Sequence, residues 1–231
     1  MKTTKKFLSI ICILSLSICL TSCVKIIEKF IFKNDGSGTY SMAVDMSEMA
    51  EMMKSLGGAD DEFIKSMDEM EVSFEEKVAR MEAINGVSNW RNEFDRENLK
   101  YEVLFDFADV DALNAGMSEF YRDSTEVGST KLTTFFIQKG NTFERTENNG
   151  IVDNFKKGLQ EDGEEELDLE MAAMLFGDAS YKQTIEFDNK IKSVSNKEYV
   201  ISDDKKVASW EYRLFIKEDF NKKPKTKIVI K

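Results

Sequence analysis

Apolar and polar side chains alternate through TYSMAVDM at residues 39–46, with Tyr40, Met42, Val44 and Met46 on one side and Ser41 and Asp45 on the other. Successive side chains of a strand leave on opposite faces, so this period specifies a strand with one face buried. The same alternation recurs in Tyr101, Val103, Phe105 and Phe107, and in Trp210, Tyr212, Leu214 and Ile216. Turn-forming residues join such runs: NDGSG after VKIIEKFIF, then Glu97-Asn98, Lys139-Gly140-Asn141 and Ser202-Asp203-Asp204-Lys205. Asn, Asp and Gly tolerate positive φ, so these stretches predict hairpins. Pro224 and the lysines around it predict that the last run, TKIVIK, is a guarded edge strand.

Helical spacing interrupts the strands in three places. Met46, Met49, Met52, Met53 and Leu56 share a face over 47–57, and Phe63, Ile64, Met67, Phe74, Val78 and Met81 line a helix over 61–84. A short helix over 110–121 starts at Asp109, a good N-cap. Residues 24–56 and 90–121 both read strand, turn, strand ending in Asp, helix, which is a ββα order used twice. The fold class is α+β, with antiparallel β-hairpins forming a sheet and helices packed on one face. One domain is expected over 23–231, with a soft boundary at 149–170; the alternative is two small sheets joined there.

The chain opens with Lys2, Lys5 and Lys6, followed by the uncharged run FLSIICILSLSICL at 7–20. A spanning helix needs about 20 apolar residues. The run is too short for that and suits the core of a secretory signal peptide over 1–22. Its end, Leu20, Thr21, Ser22 and Cys23, resembles the lipobox of bacterial lipoproteins. That resemblance implies recognition of Leu20, Thr21 and Ser22 by the lipoprotein signal peptidase and cleavage before Cys23. It also implies an S-diacylglyceryl group and an N-acyl chain, such as palmitate, on Cys23. Two or three acyl chains anchor durably, because each buried methylene is worth about 0.8 kcal/mol. The expected location is the cell envelope, outside the cytoplasm and facing the periplasm if the cell has two membranes. Val24-Lys25 supplies no inner-membrane retention aspartate.

Cys12 and Cys19 leave with the signal and Cys23 carries lipid, so the core has no disulfide or thiolate metal site. Three of the 32 basic residues leave too while all 43 acidic ones stay, so the net charge moves from −11 to about −14. That opposes nucleic acid as a partner. The chain has no histidine, which removes the usual general base and nitrogen ligand and rules out a Ser-His-Asp system. With no P-loop, Rossmann or GxSxG string, the expectation is a protein that is not an enzyme and takes no metal or cofactor. The methionine face suits core packing better than copper. The crowd Asp162, Glu164, Glu165, Glu166, Asp168 and Glu170 lacks the ligand order of a calcium loop and reads as a solvated, mobile loop.

A wider layout is also familiar. The DGSG turn at 35–38, MAVDMS at 42–47, YKQTIEFDNKIKSVSN at 181–196 and ISDDKKVASW at 201–210 follow the lipobox in order. This layout is similar to a broad set of uncharacterised bacterial lipoproteins and, distantly, to the LppM-type lipoprotein domain. The resemblance implies an α+β domain outside the membrane that binds envelope glycolipid, and it transfers no catalytic residue. Two functions are therefore carried forward. One is a lipid-anchored, non-catalytic domain binding a lipid or glycolipid. The alternative is a protein–protein interaction module, an accessory subunit of an envelope complex.

Overall fold

The structure, a computed structural model, describes residues 24–55, 79–122, 131–150, 152–153 and 179–231, with single positions 65, 72, 77 and 173. Seven strands form one sheet: β1 (Lys25–Phe32), β2 (Gly38–Asp45), β3 (Val87–Asp95), β4 (Lys100–Phe107), β7 (Ser180–Phe187), β9 (Val200–Ile201) and β10 (Val207–Arg213). Four strands form a second: β5 (Phe136–Lys139), β6 (Thr142–Arg145), β8 (Ile191–Val194) and β11 (Thr226–Ile230). Helix α1 is Ser47–Ser55 and helix α2 is Val110–Phe120.

The α+β class stands, and the architecture is more specific than the sequence suggested. The hairpins divide between two sheets, ordered β3-β4-β2-β1-β7-β10-β9 and β5-β6-β11-β8. The central pair, β1 with β7, is parallel, unlike every other pair. Strands on either side of residues 149–170 pair in both sheets. The final strand β11 is not an edge: it lies between β6 and β8. Thr226 and Ile228 are buried there while Lys227 points out, so the lysines guard one face of an interior strand. β10 stops at Arg213 because Leu214 and Phe215 both turn inward, which a strand cannot do with consecutive residues.

Local chemistry explains the elements. The NDGSG turn closes with Lys33 N–H donating to Ser37 C=O at 2.8 Å, with Gly36 at φ 88°. Asp109 caps α2 by accepting from the Ala112 N–H at 2.8 Å. Asp45 accepts from the Ser47 N–H at 3.0 Å where β2 passes into α1. The order β1-β2-α1 and β3-β4-α2 is thus the same, and the two hairpins meet along β2 and β4. Of the predicted helix over 61–84, positions 65, 72, 77 and 79–81 are helical, 82–84 are already a turn leading into β3, and the other positions lie outside the described residues.

The core sits between the sheets. β1 points Ile26, Glu28, Phe30 and Phe32 inward and β7 points Tyr181, Gln183, Ile185 and Phe187 inward. Phe30 meets Phe136 edge-on at 4.7 Å between ring centroids, and Phe143 meets Phe32 at 4.8 Å and Phe187 at 5.0 Å. Such aromatic pairs add about 0.5–1.5 kcal/mol each beyond their buried area. Met46 and Met49 pack against this core, as core methionines do.

Candidate functional site

Two charged side chains lie inside this apolar core. Glu28 is 1% exposed and Arg145 0% exposed. Both occupy inward positions of their strands, Glu28 between Ile26 and Phe30 on β1 and Arg145 two residues after Phe143 on β6. Glu28 Oε1 lies 3.1 Å from the Tyr40 and the Tyr121 hydroxyls. Its Oε2 accepts from the Tyr181 hydroxyl at 2.5 Å and the Gln183 amide at 2.9 Å. Arg145 Nη2 stands 3.8 Å from the same Oε2. Its Nη1 donates to the Asn148 carbonyl at 2.6 Å, and its guanidinium stacks 5.3 Å from the Phe136 centroid. The Tyr199 hydroxyl completes the network, 2.7 Å from Gln183 Oε1.

The electrostatics keep the tyrosines as donors. Burial pushes the Tyr40, Tyr121 and Tyr181 hydroxyls well above the usual phenol range, and the adjacent Glu28 charge pushes them further. The Tyr40 and Tyr121 hydroxyls also bond each other at 2.5 Å, so Glu28 is enclosed by a hydroxyl pair at Oε1 and by Tyr181 and Gln183 at Oε2. This cluster is a polar clamp between sheets rather than an acid–base centre.

Tyr121 connects the clamp to the surface. It shares a cleft of about 180 Å³ with Ser118, Arg122, Lys131, Thr133, Phe135, Asn148, Asn149, Gly150 and Asp153. The Ser118 hydroxyl is held by Thr133, accepting from its N–H at 2.8 Å. Gly150 is a packing requirement: a Cβ there would lie 2.4 Å from the Tyr121 ring. Asn149 is 2% exposed, yet neither its Nδ2 nor its Oδ1 makes a hydrogen bond. Buried amides are ordinarily satisfied, and the near neighbour of this one is the Tyr212 hydroxyl, whose pKa rise on burial the Asn149 amide partly offsets.

The residues singled out earlier fall elsewhere. Leu20, Thr21, Ser22 and Cys23 lie outside the described residues, as does the acidic crowd from Asp162 to Glu170. Among the described residues, no group of three or more His, Cys, Asp or Glu could hold a metal ion, and no helix is long and apolar enough to cross a membrane. Of the clamp residues, only Tyr40 is singled out from the sequence, and as a core position rather than a polar one. Their signal was present: a charged or amide residue two positions from apolar ones, on the face that alternation assigns to the core.

A scan against protein families finds no match, and no curated protein sequence matches the chain. Among solved structures, the folded domain of the Mycobacterium tuberculosis LppM protein, determined by NMR, is similar over 90% of this chain and 90% of that one. The identity is 8% and the TM-score 0.39.

Proposed function

We propose that the chain is a lipid-anchored bacterial envelope protein whose domain binds a ligand without catalysis. The carrying observation is Leu20-Thr21-Ser22-Cys23 at the end of an apolar run headed by lysines. The lipid on Cys23 makes the host membrane its first partner and places it outside the cytoplasm, facing the periplasm where there are two membranes. The ligand is a lipid or glycolipid, met through its polar headgroup. Phe30, Phe32, Phe136, Phe143 and Phe187 pack on one another between the sheets, which favours a polar headgroup over an acyl chain as the part that is bound. The cleft beside Tyr121 and Asn149 has the volume and polarity for a headgroup or sugar. The absence of histidine and the enclosure of Glu28 support a non-catalytic role.

The anchor is tested with Cys23→Ser in cells fed radioactive palmitate. Loss of label and release from membranes is expected; an equally attached, equally labelled variant refutes it. The ligand is tested on protein from a native extract. Lipid found by mass spectrometry and a lipid-dependent melting shift are expected; neither being seen removes the ligand reading. A second reading, a protein-docking module, is favoured by the short edge strand β9, where Val200 is 68% and Ile201 40% exposed. A stoichiometric partner on cross-linking in cells would select it.

A further inference from the structure

The folded domain begins at the first residue after Cys23. Val24 is 1% exposed, its carbonyl accepts from the Ser180 N–H at 3.0 Å, and β1 starts at Lys25. Adjacent Cα atoms are about 3.8 Å apart whatever their conformation. No slack chain therefore separates Cys23 from a strand that β2 and β7 flank on both sides.

Strand register identifies the surface at that end. Lys100 pairs with Asp45, Asp45 with Lys25, Lys25 with Ser180, and Ser180 with Arg213, a single row across five strands. Three ion pairs lie in or beside the row, Lys100 to Asp45 at 3.1 Å, Lys25 to Glu48 at 3.2 Å and Lys54 to Glu97 at 3.5 Å, and the row also holds Arg213 and, opposite Lys100, Asp95. The protein as a whole is strongly acidic, and acidic surface is repelled by anionic headgroups. At this end Lys25, Lys54 and Lys100 each meet an acid, which offsets part of that repulsion.

We infer that the Lys100–Asp45–Lys25–Ser180–Arg213 end of the large sheet sits directly on the headgroup layer of the membrane, with β1 rising away from it and no flexible tether between. The inference rests on acylation of Cys23. The turn after Phe32 then stands about 26 Å above that row, eight residues further at about 3.3 Å each.

The test uses the full lipidated protein in phosphatidylglycerol–phosphatidylethanolamine vesicles. Cys23 being alkylated, an introduced cysteine is the one free thiol. Lys33→Cys, at the far end of β1, and Glu97→Cys, in the β3–β4 turn, are each labelled with a fluorophore. Both sites are exposed. Lys54→Cys is a second near-end site should Glu97→Cys fold poorly. Quenching by headgroup-spin-labelled lipid is expected to be several-fold stronger at the near-end sites than at Lys33→Cys. Equal quenching means the domain lies on its side or swings freely, and overturns the inference while leaving the anchor intact. Failure of the protein to float with the vesicles refutes the anchor instead, and the inference with it.

Discussion

Glu28 Oε2 and Arg145 Nη2 stand 3.8 Å apart between the two sheets, where water reaches neither side chain. A paired charge in such a place is costly to expose and more costly to leave alone. Replacing Arg145 with Met should destabilise the domain by about 3–5 kcal/mol, since it strands a carboxylate in the core. The double variant Glu28→Gln/Arg145→Met should recover most of that loss. Urea denaturation of the three proteins measures it; a double variant as unstable as Arg145→Met alone would show that the pair is not coupled.

Tyr181 donates the shortest bond that Glu28 receives. Tyr181→Phe keeps the ring and removes the donor, leaving Oε2 to Gln183 and Arg145. A hydrogen bond to a charged group is worth about 1.5–3 kcal/mol, and a loss in that range is expected on chemical denaturation. Indifference to the change would mean that Gln183 alone satisfies Oε2.

The same tyrosines set an alkaline limit. Their folded pKa values lie well above the ordinary value of 10.0, while in the unfolded chain they titrate near it. The folded state therefore holds protons that the unfolded state releases. The stability they contribute is whole below pH 10 and falls as pH rises past it. The melting temperature should drop steeply above pH 10, with part of the tyrosinate absorbance appearing only on unfolding. Full ionisation of all tyrosines in the folded protein would contradict the burial of the cluster.

Asp106 works in the opposite sense. Hydrogen bonds from Asn89 at 2.8 Å and Thr39 at 2.6 Å hold its carboxyl below the ordinary 3.8. Its contribution is present above pH 3.8 and lost as pH falls through the lower folded value. Asp106→Asn should flatten the acid limb of the melting curve against pH. A limb of unchanged slope would assign acid sensitivity to other carboxyls, such as Asp45.

Gly38 admits no side chain. A Cβ there would lie 1.9 Å from the Ile31 carbonyl oxygen and 2.5 Å from Phe107 Cζ. The Phe107 ring occupies the space that a residue on β2 would use. Gly38→Ala should cost about 3 kcal/mol or more, at the upper end for overpacking because backbone must move. Circular dichroism melts would register it, and a change under half that size would mean the β1–β2 turn can shift.

Much of the fold was legible because its signals are local. Two-residue alternation marks β2, β4 and β10, the apolar run before the NDGSG turn marks β1 and the first hairpin, and Asp109 marks the start of α2. The repeated strand–strand–helix order was readable too, since it needs only the succession of periods. Glu28, Gln183 and Arg145 occupy inward positions of their strands, but nothing in the sequence near them says that they meet.

Residue chemistry along the chain settles which segments extend, which coil, where they turn and which side each turns inward, because steric preference and period act over a few residues. The export and acylation proposed at Cys23 likewise rest on a short contiguous stretch. Tertiary structure alone decided that β1 would lie parallel to β7, with Glu28 opposite Gln183 across 155 residues of chain. It likewise put β11 between two strands and closed Arg145 over the carboxylate. Those outcomes follow from which buried faces match once the whole chain is collapsed, and a polar side chain pointing inward carries no label for the partner it will find.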